Sequence, residues 1–220
     1  MRKNKIFQLF FVGFVFVLGY LLGQKDWWFL REMECNIAKT LFGEQQARLV
    51  FQKDIDSDKI KEEIRFMVRK YPSKEQCSEG WIEVLKGKKK YFSSEPLGSI
   101  LAMANIYDIN KDGTLEIVSK WEEPTVSNLF IYSFDNENGF HDLLFASGKE
   151  VKLCDLDNDG IVEVVAYYRD YEKASMSYLA NLYKWNGKEY FLWKEQVPLF
   201  LGSTGKDRLI IGKGKEVQLP

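Results

Sequence analysis

Histidine is almost missing from this chain of 220 residues: His141 is the single one. Any site that needs two imidazoles is therefore excluded, the His-Glu-x-x-His zinc arrangement among them. Cysteine is nearly as scarce. Cys35, Cys77 and Cys154 include no Cys-x-x-Cys pair and fit no metal framework. In an oxidising compartment Cys35 and Cys77 are the expected pair, because Cys154 lies in the apolar run VKLCDLD. Three inert buried thiols are the alternative. An excess of charge of either sign is also lacking: 31 Lys and Arg stand against 32 Asp and Glu, which leaves no electrostatic footprint for nucleic acid. A hydrophobic fraction of 45% with 29% charged residues excludes wholesale disorder, and the length suits one domain with an accessory segment better than two full domains. Aromatic residues, at 15%, are the one surplus, and they lean toward strands.

One long hydrophobic run is present. Residues 6–23 read IFQLFFVGFVFVLGYLLG, without a charge. At 1.5 Å per residue such a helix spans about 27 Å, close to the hydrocarbon thickness of a bilayer. Trp27 and Trp28 follow as an interfacial pair, and no small-x-small cleavage site follows the run. The expected organisation is a cytoplasmic basic tip (1–5), an uncleaved transmembrane signal-anchor (6–23), a juxtamembrane helical linker (24–44) and an extracytoplasmic domain (45–220). Arg2, Lys3 and Lys5 place the N-terminus in the cytoplasm. A stripe of Leu30, Met33, Ile37 and Leu41 ending at Gly43 predicts a helix over 27–43. Residues 24–220 carry 28 positive and 32 negative charges, net −4, a balance that suits bound cations.

The outward segment repeats itself. Residues 108–116 read DINKDGTLE and lead into IVSKW; residues 155–163 read DLDNDGIVE and lead into VVAYY. The two starting aspartates are 47 residues apart, a period that indicates an array of supersecondary units. An eroded copy, DIDSDKIKE, occupies 54–62, with Lys59 in place of the glycine. A fourth trace at FLGSTGKDRLIIG keeps only Asp207 and the apolar Leu209–Ile211. A hairpin-like segment follows each of the first three: WIEVLKGKKKYF (81–92), LFIYSFDNENGFHDLLF (129–145) and NLYKWNGKEYFLW (181–193). Asn138 with Gly139 and Asn186 with Gly187 predict tight hairpin turns, because both residue types tolerate positive φ. Each unit thus reads strand, acidic loop, strand, hairpin, the content of one propeller blade. Residues 58–70 fit a helix or a strand by period, and the repeat register selects the strand.

Calcium takes six to eight hard oxygen ligands at flexible distances. Acids at positions 1, 3 and 5 of a tight loop can turn toward one point, glycine at 6 permits the turn, position 7 offers a carbonyl and an acid at 9 closes the cage. The middle loop supplies Asp108, Asn110, Asp112, the Thr114 carbonyl and Glu116; the later loop supplies Asp155, Asp157, Asp159, the Ile161 carbonyl and Glu163. Two calcium ions are expected, the tighter at 155–163, which has one more carboxylate. At 54–62 Lys59 sits where positive φ is needed and adds charge, so no tight calcium is expected there. An EF-hand is excluded, because its position-12 Glu would fall on Ser119 and Ala166 and no helix pattern follows.

The two DxDxDGxxE loops at blade spacing, each leading into a β-branched strand, together with YKWNGKEYF, resemble FG-GAP/VCBS repeats and are similar to the calcium-bearing blades of the integrin α-subunit propeller. The resemblance covers roughly residues 45–215. It implies a mainly β chain built as a small or incomplete β-propeller of about three to four four-stranded units, structural calcium at the ten residues named above, and use as a binding or adhesion scaffold. Family propellers usually have seven blades, so residues 27–50 or a second copy of the chain would complete this one.

No catalytic constellation is legible. His141 sits in a hairpin turn, Ser203 and Lys206 belong to an eroded repeat, and Lys86, Lys88, Lys89 and Lys90 read as a solvated hairpin tip around Gly87. The expectation is a non-enzymatic, membrane-anchored, calcium-binding module whose partner is a protein or cell-envelope component and not nucleic acid. A hydrolase or enzyme subunit acting on a glycan or phosphoester, and a calcium-responsive sensor, are the alternatives.

Overall fold

The structure is a computed structural model; it describes residues 44–70, 79–171, 177–200, 208–211 and 215–219. The apolar run 6–23, the 27–43 stripe, Cys35, Cys77 and residues 201–207 lie outside these. The chain divides into two compact units, 1–45 with 69–78, and 46–68 with 79–220. The description below concerns the second.

All the described secondary structure is strand. The first sheet is formed by β1 (Glu44–Lys53), β2 (Glu62–Lys70), β3 (Glu79–Lys86) and β4 (Lys89–Ser93). The second is formed by β5 (Ile100–Tyr107), β6 (Glu116–Glu122), β7 (Ser127–Asp135) and β8 (Gly139–Gly148). The third is formed by β9 (Glu150–Cys154), β10 (Glu163–Asp170), β11 (Ser177–Trp185) and β12 (Tyr190–Phe200), extended by β13 (Arg208–Ile211) and β14 (Lys215–Gln218). In each sheet the strands lie in chain order. The strand choice for 58–70 is realised as β2. The fourth trace differs from expectation: Leu209 pairs with Leu199, so β13 and β14 prolong the third sheet and start no sheet of their own.

The sheets pack face to face around cores that the side-chain alternation sets. The first core joins Ile64, Phe66, Ile82 and Val84 of the first sheet to Ile106, Ile117, Trp121 and Tyr132 of the second. The second core joins Val118, Leu129 and Ile131 to Val151, Val164 and Ala166 of the third. Successive residues of a strand point to opposite faces. Hence Ile117 and Val118 serve different cores, as do Val164 and Val165. Strands buried on both faces need near-continuous apolar runs, which is why β6 reads EIVSKW and β10 reads EVVAYY. β2, EIRFMV, alternates because its other face carries Glu63 and Arg65, an ion pair. β3 continues that polar face with Glu83, paired to Lys90 at 2.5 Å and bonded by the Trp81 indole at 3.1 Å. The third core holds Val165, Tyr167, Ala180 and Leu182 together with Leu209 and Leu219 from the C-terminal segment. Each fully buried Ile, Leu or Phe contributes about 1.5–3 kcal/mol.

The hairpins form where expected, but their turns differ. Gly139 and Gly187 have φ of 73° and 95°, whereas Asn138 and Asn186 are not in the left-handed region. Side chains close these turns instead. Asp135 Oδ1 accepts from the N–H groups of Glu137 and Asn138, at 2.8 and 2.6 Å, and Asn186 Oδ1 accepts from Lys188 and Glu189, both at 2.9 Å. His141 lies at the start of β8, its Nδ1 3.3 Å from Asp135.

Candidate metal centre

Each acidic loop joins the first two strands of its sheet: 54–61 between β1 and β2, 108–115 between β5 and β6, 155–162 between β9 and β10. Three hydrogen bonds recur. The position-1 carboxylate accepts from the position-6 N–H: Asp54 from Lys59 at 2.9 Å, Asp108 from Gly113 at 3.0 Å, Asp155 from Gly160 at 2.8 Å. The position-5 carboxylate accepts from the position-7 N–H at 2.8 Å each time: Asp58 from Ile60, Asp112 from Thr114, Asp159 from Ile161. The position-9 glutamate reaches back to the position-2 N–H: Glu62 to Ile55 at 2.9 Å, Glu116 to Ile109 at 3.1 Å, Glu163 to Leu156 at 2.7 Å.

Burial anchors this scaffold. The three glutamates are fully buried, and so, nearly, are Ile55, Ile109 and Leu156, which plug successive cores. Position 6 has positive φ in all three loops: Lys59 at 73°, Gly113 at 92° and Gly160 at 81°. The eroded copy therefore keeps the loop conformation with a lysine where glycine is at ease. Position 4, held by Ser57, Lys111 and Asn158, is also left-handed, at 60°, 59° and 64°. Only the asparagine there signals this in sequence. Adjacent loops touch: the Val162 N–H donates to the Ile109 carbonyl at 3.2 Å, and Lys111 Nζ donates to the Asp159 carbonyl at 3.3 Å.

One oxygen of each glutamate is thus taken by backbone. In the third loop carboxylate oxygens of Asp155, Asp157 and Glu163 lie within 4.8 Å of one another, a spacing that could hold a metal ion. Asp54, Asp56 and Asp58 meet the same condition, although metal was not expected there. Asp108, Asp112 and Glu116 form no such group among the described residues. Their oxygens are turned to the loop itself: Asp108 Oδ1 and Asn110 Oδ1 both accept from Asp112 N–H at 3.1 Å, and Thr114 Oγ1 contacts Asp112 at 2.5 Å. Asn110 Nδ2 donates to Asp112 at 2.9 Å.

Two lysines occupy the first and third loops: Lys86, which the sequence placed in a solvated hairpin tip, and Lys184, which it did not single out. Lys86, at the end of β3, places Nζ 2.5 Å from Asp56, 2.6 Å from Asp58 and 3.3 Å from Glu62. It is not part of a solvated tip. Lys184, at the equivalent place in β11, pairs with Asp157 and lies 3.3 Å from Asp159 and 3.4 Å from Glu163. Register explains the equivalence. Val164 faces Tyr183, so Glu163 faces Lys184; Ile117 faces Tyr132, so Glu116 faces Ser133. Ser133 Oγ donates to Glu116 at 3.3 Å. The carboxylates of Asp56 and Asp157 hold the Lys86 and Lys184 ammonium groups above the ordinary lysine range. In the middle loop no lysine enters. Burial, reinforced by the charges of Asp112 and Asp108, pushes the Glu116 carboxyl up to about 7. The signal that could have identified the lysines is the strand residue facing position 9, readable once the hairpins are in register.

Comparison with protein-family models, with curated proteins and with solved structures returns no match. The fold, a mainly β arrangement of sequential sheets, and the loop geometry therefore stand on their own.

Proposed function

We propose that this chain is a membrane-anchored, extracytoplasmic binding module built of FG-GAP/VCBS-like propeller blades and stabilised by calcium. The observation that carries the reading is the threefold loop scaffold, in which backbone N–H groups hold one side of the acids and leave the second oxygen of each buried glutamate free of backbone. Asp108, Asn110, Asp112, the Thr114 carbonyl and Glu116 hold the ion; Asp155, Asp157, Asp159, the Ile161 carbonyl and Glu163 form a second oxygen set of the same pattern. The ion neutralises carboxylates that otherwise repel and ties each loop to the following strand, so metal binding is folding free energy. The propeller reading is supported by meander sheets stacked face to face with every acidic loop at the same connection. Residues 6–23 are the anchor, and the work of the outer domain is to bind a protein or envelope partner, because the acids on the loops are committed to structure.

The test is thermal melting of the full-length chain in detergent, with calcium and with excess chelator. Calcium should raise the midpoint by several degrees, and Glu116→Gln should remove most of that rise. Identical melting in both conditions, after metal analysis confirms depletion, would sink the reading.

A further inference from the structure

The three loops share a backbone but not a means of balancing charge. In the first and third, an ammonium from the third strand of the same sheet sits among the position-3, position-5 and position-9 acids. Each ammonium is backed by a ring on the next strand: Lys86 lies 5.5 Å from the Tyr91 centroid and Lys184 lies 5.7 Å from the Trp193 centroid. Both distances suit a cation–π contact. In the middle loop the same register position is Ser133, too short and uncharged to do this. Acid oxygens group closely in the first and third loops; the middle loop, with Asn110 at position 3, forms no such group of acids among the described residues.

The lysines leave acceptors without a hydrogen bond: Asp54 Oδ1 and Glu62 Oε1 in the first loop and Glu163 Oε1 in the third. Glu62 Oε1 and Glu163 Oε1 belong to fully buried side chains and have no hydrogen-bond partner. The ammonium groups meet the two glutamates only as long ion pairs, at 3.3 and 3.4 Å. A buried carboxylate oxygen aimed at a cation but not bonded by it marks a pocket that a smaller, doubly charged ion would fill more completely.

Resting on the reading of these loops as cation sites, we propose that Lys86 and Lys184 are tethered cations that take the place of a divalent ion in the first and third loops. Lysine and metal exclude one another there. The wild-type chain then closes those two loops without metal, and its calcium requirement falls on the middle loop, where Ser133 leaves the position open. The charge count alone, which favours 155–163, is overridden by Lys184.

The experiment uses the full-length chain in detergent, with melting in chelator and calcium titration by calorimetry, for wild type, Lys184→Met, Lys184→Arg, Lys86→Met and Ser133→Lys. Wild type should bind one calcium. Lys184→Met should melt lower than wild type in chelator, bind a second calcium and regain its melting point with it; Lys86→Met should do the same at its own loop. Ser133→Lys should lose the wild-type site and melt alike with and without calcium. Lys184→Arg should keep the wild-type stoichiometry. If Lys184→Met folds too poorly for titration, pairing it with Glu163→Gln removes the uncompensated acid and should recover melting in chelator. The proposal is overturned if Lys184→Met melts as wild type does in chelator. It is also overturned if wild type already binds two ions with affinities that Lys184→Met leaves unchanged. Loss of melting in the two lysine variants with no calcium bound by any protein would uphold the tethered charge and refute calcium as the ion of the middle loop.

Discussion

Lys59 has the backbone angles of the glycine it replaces. A side chain in the left-handed region costs roughly 1–2 kcal/mol, and glycine recovers part of that after its greater freedom when unfolded is counted. Lys59→Gly should therefore stabilise the chain by about 1 kcal/mol, seen as a higher urea midpoint with unchanged slope; a loss of stability would mean that the lysine side chain serves the loop. Cys154 gives a second residue-level expectation. Burial, with Glu163 nearby, pushes its thiol up to about 12. A thiolate is the reactive form, so alkylation at pH 8 should be at least tenfold slower in the folded chain than in urea, with the rate rising steadily through pH 9 where an ordinary thiol levels off. At this scale part was legible: the hydrogen-bonded loops fall at the spaced acids, and the left-handed position 6 was anticipated even at Lys59. The lysines were not, because a charged residue beside a hairpin turn looks solvated until the register shows which acid it faces.

Trp121 is the element-level keystone of the first core, fully buried where β6 meets the start of β3. Its ring packs against Gly80: a Cβ on that glycine would fall 1.9 Å from the ring. Gly80 N–H also donates to the Gly98 carbonyl at 2.6 Å, so the backbone has no room to retreat. Gly80→Ala should cost about 1–3 kcal/mol by forced repacking, and Trp121→Ala about 3–5 kcal/mol by cavity formation, both measurable by chemical denaturation. Hairpins were the most legible elements, since Gly87, Gly139 and Gly187 all sit at the expected turns. What spacing could not supply was the chemistry of those turns, where Asp135 and Asn186 act as acceptors and glycine alone takes positive φ. The strand at 62–70 illustrates the opposite difficulty. Its period fitted two structures, and only comparison with the other repeats separated them.

Across the whole molecule, the two ends of the series of sheets are finished differently. The first sheet turns a face of paired charges outward, Glu63 with Arg65 and Glu83 with Lys90. The third sheet turns an apolar face to the third core, where Leu209 and Leu219 are buried. Removal of residues 201–220 should expose that face, with strong binding of an apolar dye and a loss of solubility; a truncated chain that stays monomeric and dye-negative would show the third core to be self-sufficient. The count of units was the least legible feature, because one strand pair that extends a sheet has the same local pattern as the beginning of another. The ion pairs of Lys86 and Lys184 also carry a consequence for the order of assembly. In each case the acidic loop precedes its lysine by more than twenty residues, and the lysine arrives only with the third strand. A two-strand fragment holds its acids in mutual repulsion; docking of the third strand relieves it. In the first and third sheets a half-built form is thus disfavoured until the third strand docks.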